Sequence, residues 1–188
     1  MRWTTETRYR MLLEINNAVV TRTNREDLFQ ALANELRKHF AFDRMAINLY
    51  DAKSQSISYF AAADGVQPGG GLTRHSRPLA DGAIARMVVQ SRQPTIMDDL
   101  RRYTDLTSIG AMVAAGLNAT MAFPMLVRNR ILGSIHFSFR SAPEHISELT
   151  GVLTDVSMQV AIAVDNMLTY TELEKLNKSL EREKDFLL

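Results

Sequence analysis

The sequence predicts an α+β domain built on a largely antiparallel sheet. Three observations lead there. Apolar residues recur at three and four near both ends of the chain, the period of amphipathic helices. Strand-like segments come in two pairs, residues 43–51 with 56–63 and 119–127 with 131–139, and all but 56–63 alternate large apolar with small or polar residues, the period of strands. The two pairs are separated by a long crossover that is helical only in pieces.

The elements follow in order. Residues 4–21 form a helix whose apolar face is Tyr9, Leu12, Leu13, Ile15, Ala18 and Val19. Residues 21–24 break it, and Asn24 caps a second helix with Asp27 in the capping-box position. Leu28, Phe29, Leu32, Leu36 and Phe40 are its buried stripe. In the first strand Met45, Ile47 and Leu49 alternate with Arg44, Ala46 and Asn48. After the second strand, residues 64–78 carry Pro68 and the run Gly69, Gly70, Gly71, a loop long enough to suggest a functional lid. A short helix over 81–90, an extended piece over 95–97, and a helix over 105–116 complete the crossover. The last two strands meet at a tight turn over Arg128, Asn129 and Arg130.

Residues 147–188 contain no Pro and a single Gly, Gly151. Leu149, Val152, Leu153, Val156, Val160, Ala163 and Met167 belong to a core. The seam continues as Ile162, Asn166, Thr169, Leu173, Leu176, Leu180, Glu183 and Leu187 among charged residues. Globular helices rarely exceed 20 residues. This one is expected to leave its own domain as a dimeric coiled coil, with Asn166, Thr169 and Glu183 as polar interruptions that fix register. The expected organisation is an input module over 1–166 and a coiled-coil helix over 167–188 that leads to an output domain.

Composition narrows the functions. The chain has 188 residues, 22 Lys and Arg against 21 Asp and Glu, and no Cys. Near-neutral charge gives no field to draw nucleic acid or an acidic membrane, so no direct DNA contact and no membrane association are expected. The missing Cys excludes thiol catalysis, a disulfide framework and thioether attachment of a chromophore. With no apolar run of membrane-spanning length and no signal-peptide core, a cytoplasmic protein is expected. No nucleophile elbow, HExxH helix or kinase signature is present, so no catalytic residues are assigned.

The last two strands suggest a site. Met121, Phe123 and Met125, with Ile135, Phe137 and Phe139, form one large apolar face for the terminal helices. The opposite face carries Thr120, Ala122, Pro124, Ser134, His136 and Ser138. Small and polar side chains there leave room beneath the crossover for a small polar ligand, although a half-solvated sheet would also carry such a face. His136 is the expected anchor, with Thr120, Ala122, Ser134 and Ser138 beside it and Tyr103 and Met112 as walls from the crossover. Arg74, His75 and Arg77 make a basic cluster that suits a carboxylate or phosphate; solvated surface is the simpler account of it. A metal site from His75, His136, Asp98 and Asp99 is conceivable, but no paired-ligand spacing supports it, and no metal is assigned. Asp98 and Asp99 more simply cap the turn that follows.

Three stretches resemble the GAF family of cytoplasmic sensor domains: residues 8–51, 121–139 and 160–188. The last resembles the exit helix of the GAF domain in formate-hydrogenlyase-type activators, bacterial proteins that act on sigma-54 RNA polymerase. The resemblance implies a pocket between sheet and crossover and a role in transcription regulation, while the seam of the last helix, joined by the first, is what points to a homodimer through the terminal helices. The absent Cys rules out covalent bilin and the iron site of nitric-oxide sensors. The NKxxF motif of cyclic-nucleotide relatives is missing. A small anion such as formate, another metabolite or an empty pocket remains, and no cofactor is specified. A ligand-free dimerisation module, or a sensor for a histidine kinase or cyclic-dinucleotide cyclase, are the alternatives.

Overall fold

The computed structural model describes residues 3–69, 76–106 and 108–187. Helix α1 (Thr5–Val19) is capped by Thr4, whose side chain accepts from the Thr7 amide. It buries Met11, Ile15 and Val19. The expected face was broader. Tyr9 and Leu13 are 76% and 56% exposed, because the packed stripe follows the i, i+4 line through Met11 and leaves the adjacent line to solvent. Helix α2 (Arg25–Arg37) starts at Asn24, which accepts from the Asp27 amide at 2.9 Å. The Asp27 carboxylate accepts from the Asn24 side-chain amide at 2.7 Å and does not reach back to the backbone as a capping-box Glu would.

Among the described residues, seven strands form one antiparallel sheet: β1 (Arg44–Asp51), β2 (Ser56–Tyr59), β3 (Asp64–Gly65), β4 (Arg77–Pro78), β5 (Thr95–Met97), β6 (Ala119–Val127) and β7 (Arg130–Phe139). Their order is β4-β2-β1-β7-β6-β5, with β3 paired to β1 beyond the end of β2. β2 is shorter than predicted and stops at Tyr59. The predicted loop over 64–78 begins and ends in two-residue strands. The β6–β7 hairpin closes through Arg128 and Asn129, both at positive φ (48° and 65°), as a two-residue turn with the twist of its strands requires.

One face of the sheet holds the main core. Met45, Ile47, Met121, Phe123, Met125, Ile135, Phe137 and Phe139 pack under α1, α2 and α5 (Ile146–Leu187). Phe137 lies edge-on to Phe40, Phe42 and Phe123, with centroids 5.3 to 6.4 Å apart, within the favourable range for aromatic pairs. The other face is covered by α3 (Ala83–Ser91) and α4 (Ile109–Ala114), the latter shorter than its predicted span. Ile84, Val88, Met97, Leu100, Ile109 and Ala122 form the small apolar cluster there.

α5 runs for 42 residues, about 63 Å at helical rise. Its buried positions end at Met167. Leu173, Leu176 and Leu180 stand exposed beyond the domain. Among the described residues, no helix is long and apolar enough to cross a membrane.

Candidate functional site

A cavity of about 450 Å³ opens between the sheet and the crossover. Its floor follows from strand register. Arg44, Ala46 and Asn48 of β1 pair with Ser138, His136 and Ser134 of β7, which in turn pair with Thr120, Ala122 and Pro124 of β6. All nine share one face. The cavity is lined by Arg44, Ala46, Asn48, His136 and Ser138 from the sheet. Tyr59 and Arg77 close one side. Gly82, Ile84, Ala85, Ser108 and Met112 form the roof.

The candidate residues divide into three groups. His136, Ser138 and Met112 line the cavity. Thr120, Ala122 and Ser134 share the face but lie beneath other atoms, each fully buried. Thr120 Oγ1 donates to the Phe137 carbonyl at 3.2 Å and meets Ser138 Oγ at 3.0 Å. Ala122 belongs to the α3–α4 apolar cluster. Tyr103 stands partly exposed in the 3₁₀ turn Leu100–Tyr103, outside the lining. Arg74 and His75 fall outside the described residues. Asp99 caps the turn by accepting from the Arg101 amide at 3.2 Å, and its carboxylate is also held by the Arg101 guanidinium at 2.7 Å.

The charge in the cavity comes from Arg44, which strand alternation places on this face without marking it as a site, and from Arg77, a member of the basic cluster. Arg44 is 6% exposed. Its guanidinium donates to the Val66 carbonyl at 2.8 Å, Gln67 Oε1 at 3.0 Å and the Tyr59 hydroxyl at 3.3 Å. All three acceptors are neutral. Burial pulls its pKa below the usual guanidinium value, yet an Arg remains charged in any protein environment. Arg77 lies over the Tyr59 ring, 5.0 Å from its centroid, and donates to Asn48 Oδ1 at 3.4 Å. Among the described lining residues the one carboxylate is Asp81, exposed at the rim.

His136 is held between these cations and the floor. Its Nε2 lies 2.7 Å from Ser134 Oγ. Desolvation pushes its pKa down to about 3, helped by the charges of Arg44 and Arg77. The imidazole is therefore neutral at physiological pH and offers one donor and one acceptor. The N-terminus of α3 opens onto the same space: Gly82, Ile84 and Ala85 line it, and no side chain caps the helix there. Its free amides add partial positive charge.

A sheet covered by terminal helices on one side and a pocket-forming crossover on the other is the arrangement the resemblance implied. The sequence model of the GAF domain matches residues 22–165. The chain belongs to the GAF domain family. Its curated relatives include the formate hydrogenlyase transcriptional activator FhlA of Escherichia coli, 23% identical over 180 residues that make up 92% of this chain and 25% of that protein. The DNA-binding transcriptional activator HyfR of the same organism is 22% identical over 188 residues, 93% of this chain and 26% of that protein. This GAF domain thus spans about a quarter of the length of these relatives. Among solved structures, the GAF domain of a phosphoenolpyruvate-protein phosphotransferase from Coxiella burnetii superposes with a TM-score of 0.73 at 12% identity, covering 90% of this chain and 99% of that one. At that identity the likeness is one of fold.

Proposed function

We propose that this GAF domain senses a small anion and regulates a sigma-54-dependent transcriptional activator through α5. The buried guanidinium of Arg44 carries the proposal. A charge taken out of water is costly unless it is paired, and among the described residues the acceptors that Arg44 meets are all neutral. Arg77 and the uncapped start of α3 add positive potential to the same cavity. A carboxylate or phosphate would supply the missing countercharge through charge-assisted hydrogen bonds. Neutral His136, Ser138 and Asn48 would orient the rest of the ligand.

The route outward rests on continuity. α5 packs on β6 and β7 in the core and continues as an exposed stalk. Arg8 of α1 reaches the Gly151 carbonyl at 3.2 Å and pairs with Asp155, tying the first helix to the last. Exposed apolar residues on α1 (Tyr9, Leu13) and α5 (Met158, Ile162, Tyr170) would pair with a second copy. For occupancy to regulate an output domain, the ligand must bind one stalk arrangement better than the other. The activator role is taken from FhlA and HyfR, whose names describe transcriptional activators.

The test is a thermal-shift titration with formate, acetate, larger carboxylates and phosphate on wild type and Arg44→Met. The expected outcome is a saturable rise in Tm for at least one anion, absent in the variant. No rise with any of them, or an equal rise in the variant, would remove the anion reading.

A further inference from the structure

On the far side of the sheet, Glu14 of α1, Glu35 of α2 and His39, just past the end of α2, bring one ligand atom each within 4.8 Å of one another. Glu35 Oε1 and His39 Nε2 are 3.6 Å apart, and Glu14 Oε2 lies 3.1 Å from the same nitrogen. The spacing arises simply. Positions i and i+4 on a helical turn face the same way, and α1 packs beside α2 so that Glu14 reaches the same spot.

We propose that these three side chains form a binding site for a divalent transition-metal ion of the zinc type. Two observations separate the cluster from a surface ion pair. First, His39 Nε2 is fully shielded from solvent and has no hydrogen-bond partner. Neither carboxylate makes a hydrogen bond to it, although one oxygen is 3.1 Å away. A buried nitrogen without a partner costs stability, and an ion set between nitrogen and oxygens removes that cost. Second, the spacing fits a metal. Zinc holds His nitrogen and carboxylate oxygen at about 2.0–2.2 Å, so ligand atoms on a tetrahedral edge lie roughly 3.4 Å apart. The two edges to His39, 3.1 and 3.6 Å, bracket that value, and the two carboxylate oxygens lie within 4.8 Å of each other, so a small side-chain closure completes the set.

The chemistry is consistent. Two carboxylates and one neutral imidazole balance a divalent charge, and a His–carboxylate set suits zinc over calcium or magnesium. Glu35 is 8% exposed. Its second oxygen is held by Lys38 at 2.7 Å, which fixes the carboxylate and leaves Oε1 as the oxygen facing His39. A fourth position would be filled by water, as in open zinc sites. The ion would staple α1 to α2, and α1 also packs on α5. Metal occupancy would thus stiffen the helical layer from which the stalk emerges, independently of the cavity on the opposite face.

The experiment is calorimetric titration of EDTA-treated, desalted wild-type protein with ZnCl2, together with Co2+ absorption and melting curves. The expected result is one equivalent per chain, a higher Tm, and visible Co2+ bands of tetrahedral intensity. Glu14→Gln and His39→Gln are each expected to weaken binding by about tenfold or more. Glu14 is the safer variant because its side chain is 43% exposed, so a metal-free Tm equal to wild type shows that its loss is local. Absence of zinc binding up to millimolar concentration overturns the site. So does binding of unchanged strength in Glu14→Gln, which would place the metal elsewhere.

Discussion

Arg44 reaches across from β1 to the hydroxyl of Tyr59, 3.3 Å from its guanidinium. The other face of that contact is the Tyr59 ring, which carries Arg77 at 5.0 Å. One neutral aromatic residue therefore separates two cations in a cavity with no buried carboxylate among its described lining residues. Arg44→Met removes a buried charge and keeps most of the side-chain volume. It also strands the Val66 carbonyl and Gln67, at about 1–3 kcal/mol. These effects oppose each other, so the ligand-free Tm is expected to stay within a few degrees of wild type. At ligand a hundredfold above Kd, wild type gains about 2.7 kcal/mol from binding, and the variant is expected to gain none. Denaturant melts with and without ligand check both statements. A large loss of ligand-free stability would make Arg44 a structural residue.

His136 makes stability depend on acid. Its pKa falls from 6.5 in the unfolded chain to about 3 in the fold. Between those values the unfolded state binds a proton that the folded state refuses, so stability falls as pH falls through this window, and the contribution is fully restored above 6.5. The slope from this residue is on the order of 1 kcal/mol per pH unit. His136→Gln is expected to flatten the slope between pH 6 and 4, measured by urea melts at a series of pH values. An unchanged slope would mean that the ring is solvated enough to protonate in the fold.

How much of this was readable in advance depends on whether local pattern or distant pairing decides it. The alternation of Ile135, Phe137 and Phe139 with Ser134, His136 and Ser138 marks the buried face within one strand, and the structure packs the Phe face on the helices. The same alternation lies in Arg44, Ala46 and Asn48, yet nothing local says that this strand pairs with β7 and puts Arg44 opposite Ser138. The part Arg44 plays in the charge of the cavity is therefore not legible locally, whereas Arg77 stands out in the basic cluster and the floor in the alternation. Tyr103 was proposed as a wall from its place in the crossover, and the 3₁₀ turn leaves it partly exposed instead. Tyr9 and Leu13 counted as core on period alone, and only the position of the neighbouring helices shows which apolar line faces inward.

Gly133 is set where two backbones nearly touch. Its φ is 149°, and a Cβ there would come 1.8 Å from the Asn48 carbonyl oxygen. Backbone on both sides leaves no flexible group to yield. Gly133→Ala is expected to force β1 and β7 apart beside Asn48 and to destabilise the fold by roughly 3 kcal/mol or more, the upper range for single changes. Its cavity should loosen too, since Asn48 lines it. A melt shows the first effect and ligand affinity the second. A loss of under about 1 kcal/mol would mean that the strands separate without strain.

The stalk offers a change that spares the core. Leu173, Leu176 and Leu180 are 54%, 55% and 63% exposed in a single chain and lie three and four apart, the spacing of a coiled-coil seam. They lie beyond the part of α5 that packs in the core, whose buried positions end at Met167. Leu176→Glu with Leu180→Glu is therefore expected to leave the Tm of the core within the ordinary range of surface substitutions, about half a kcal/mol. If the seam joins two copies, the same double variant places like charges opposite one another and should turn a dimer into a monomer in sedimentation velocity. A wild-type monomer at all concentrations would instead leave the leucines to a different partner. A dimer unaffected by the double change would move the interface to Tyr9, Leu13 and Ile162, where Ile162→Glu is the corresponding probe.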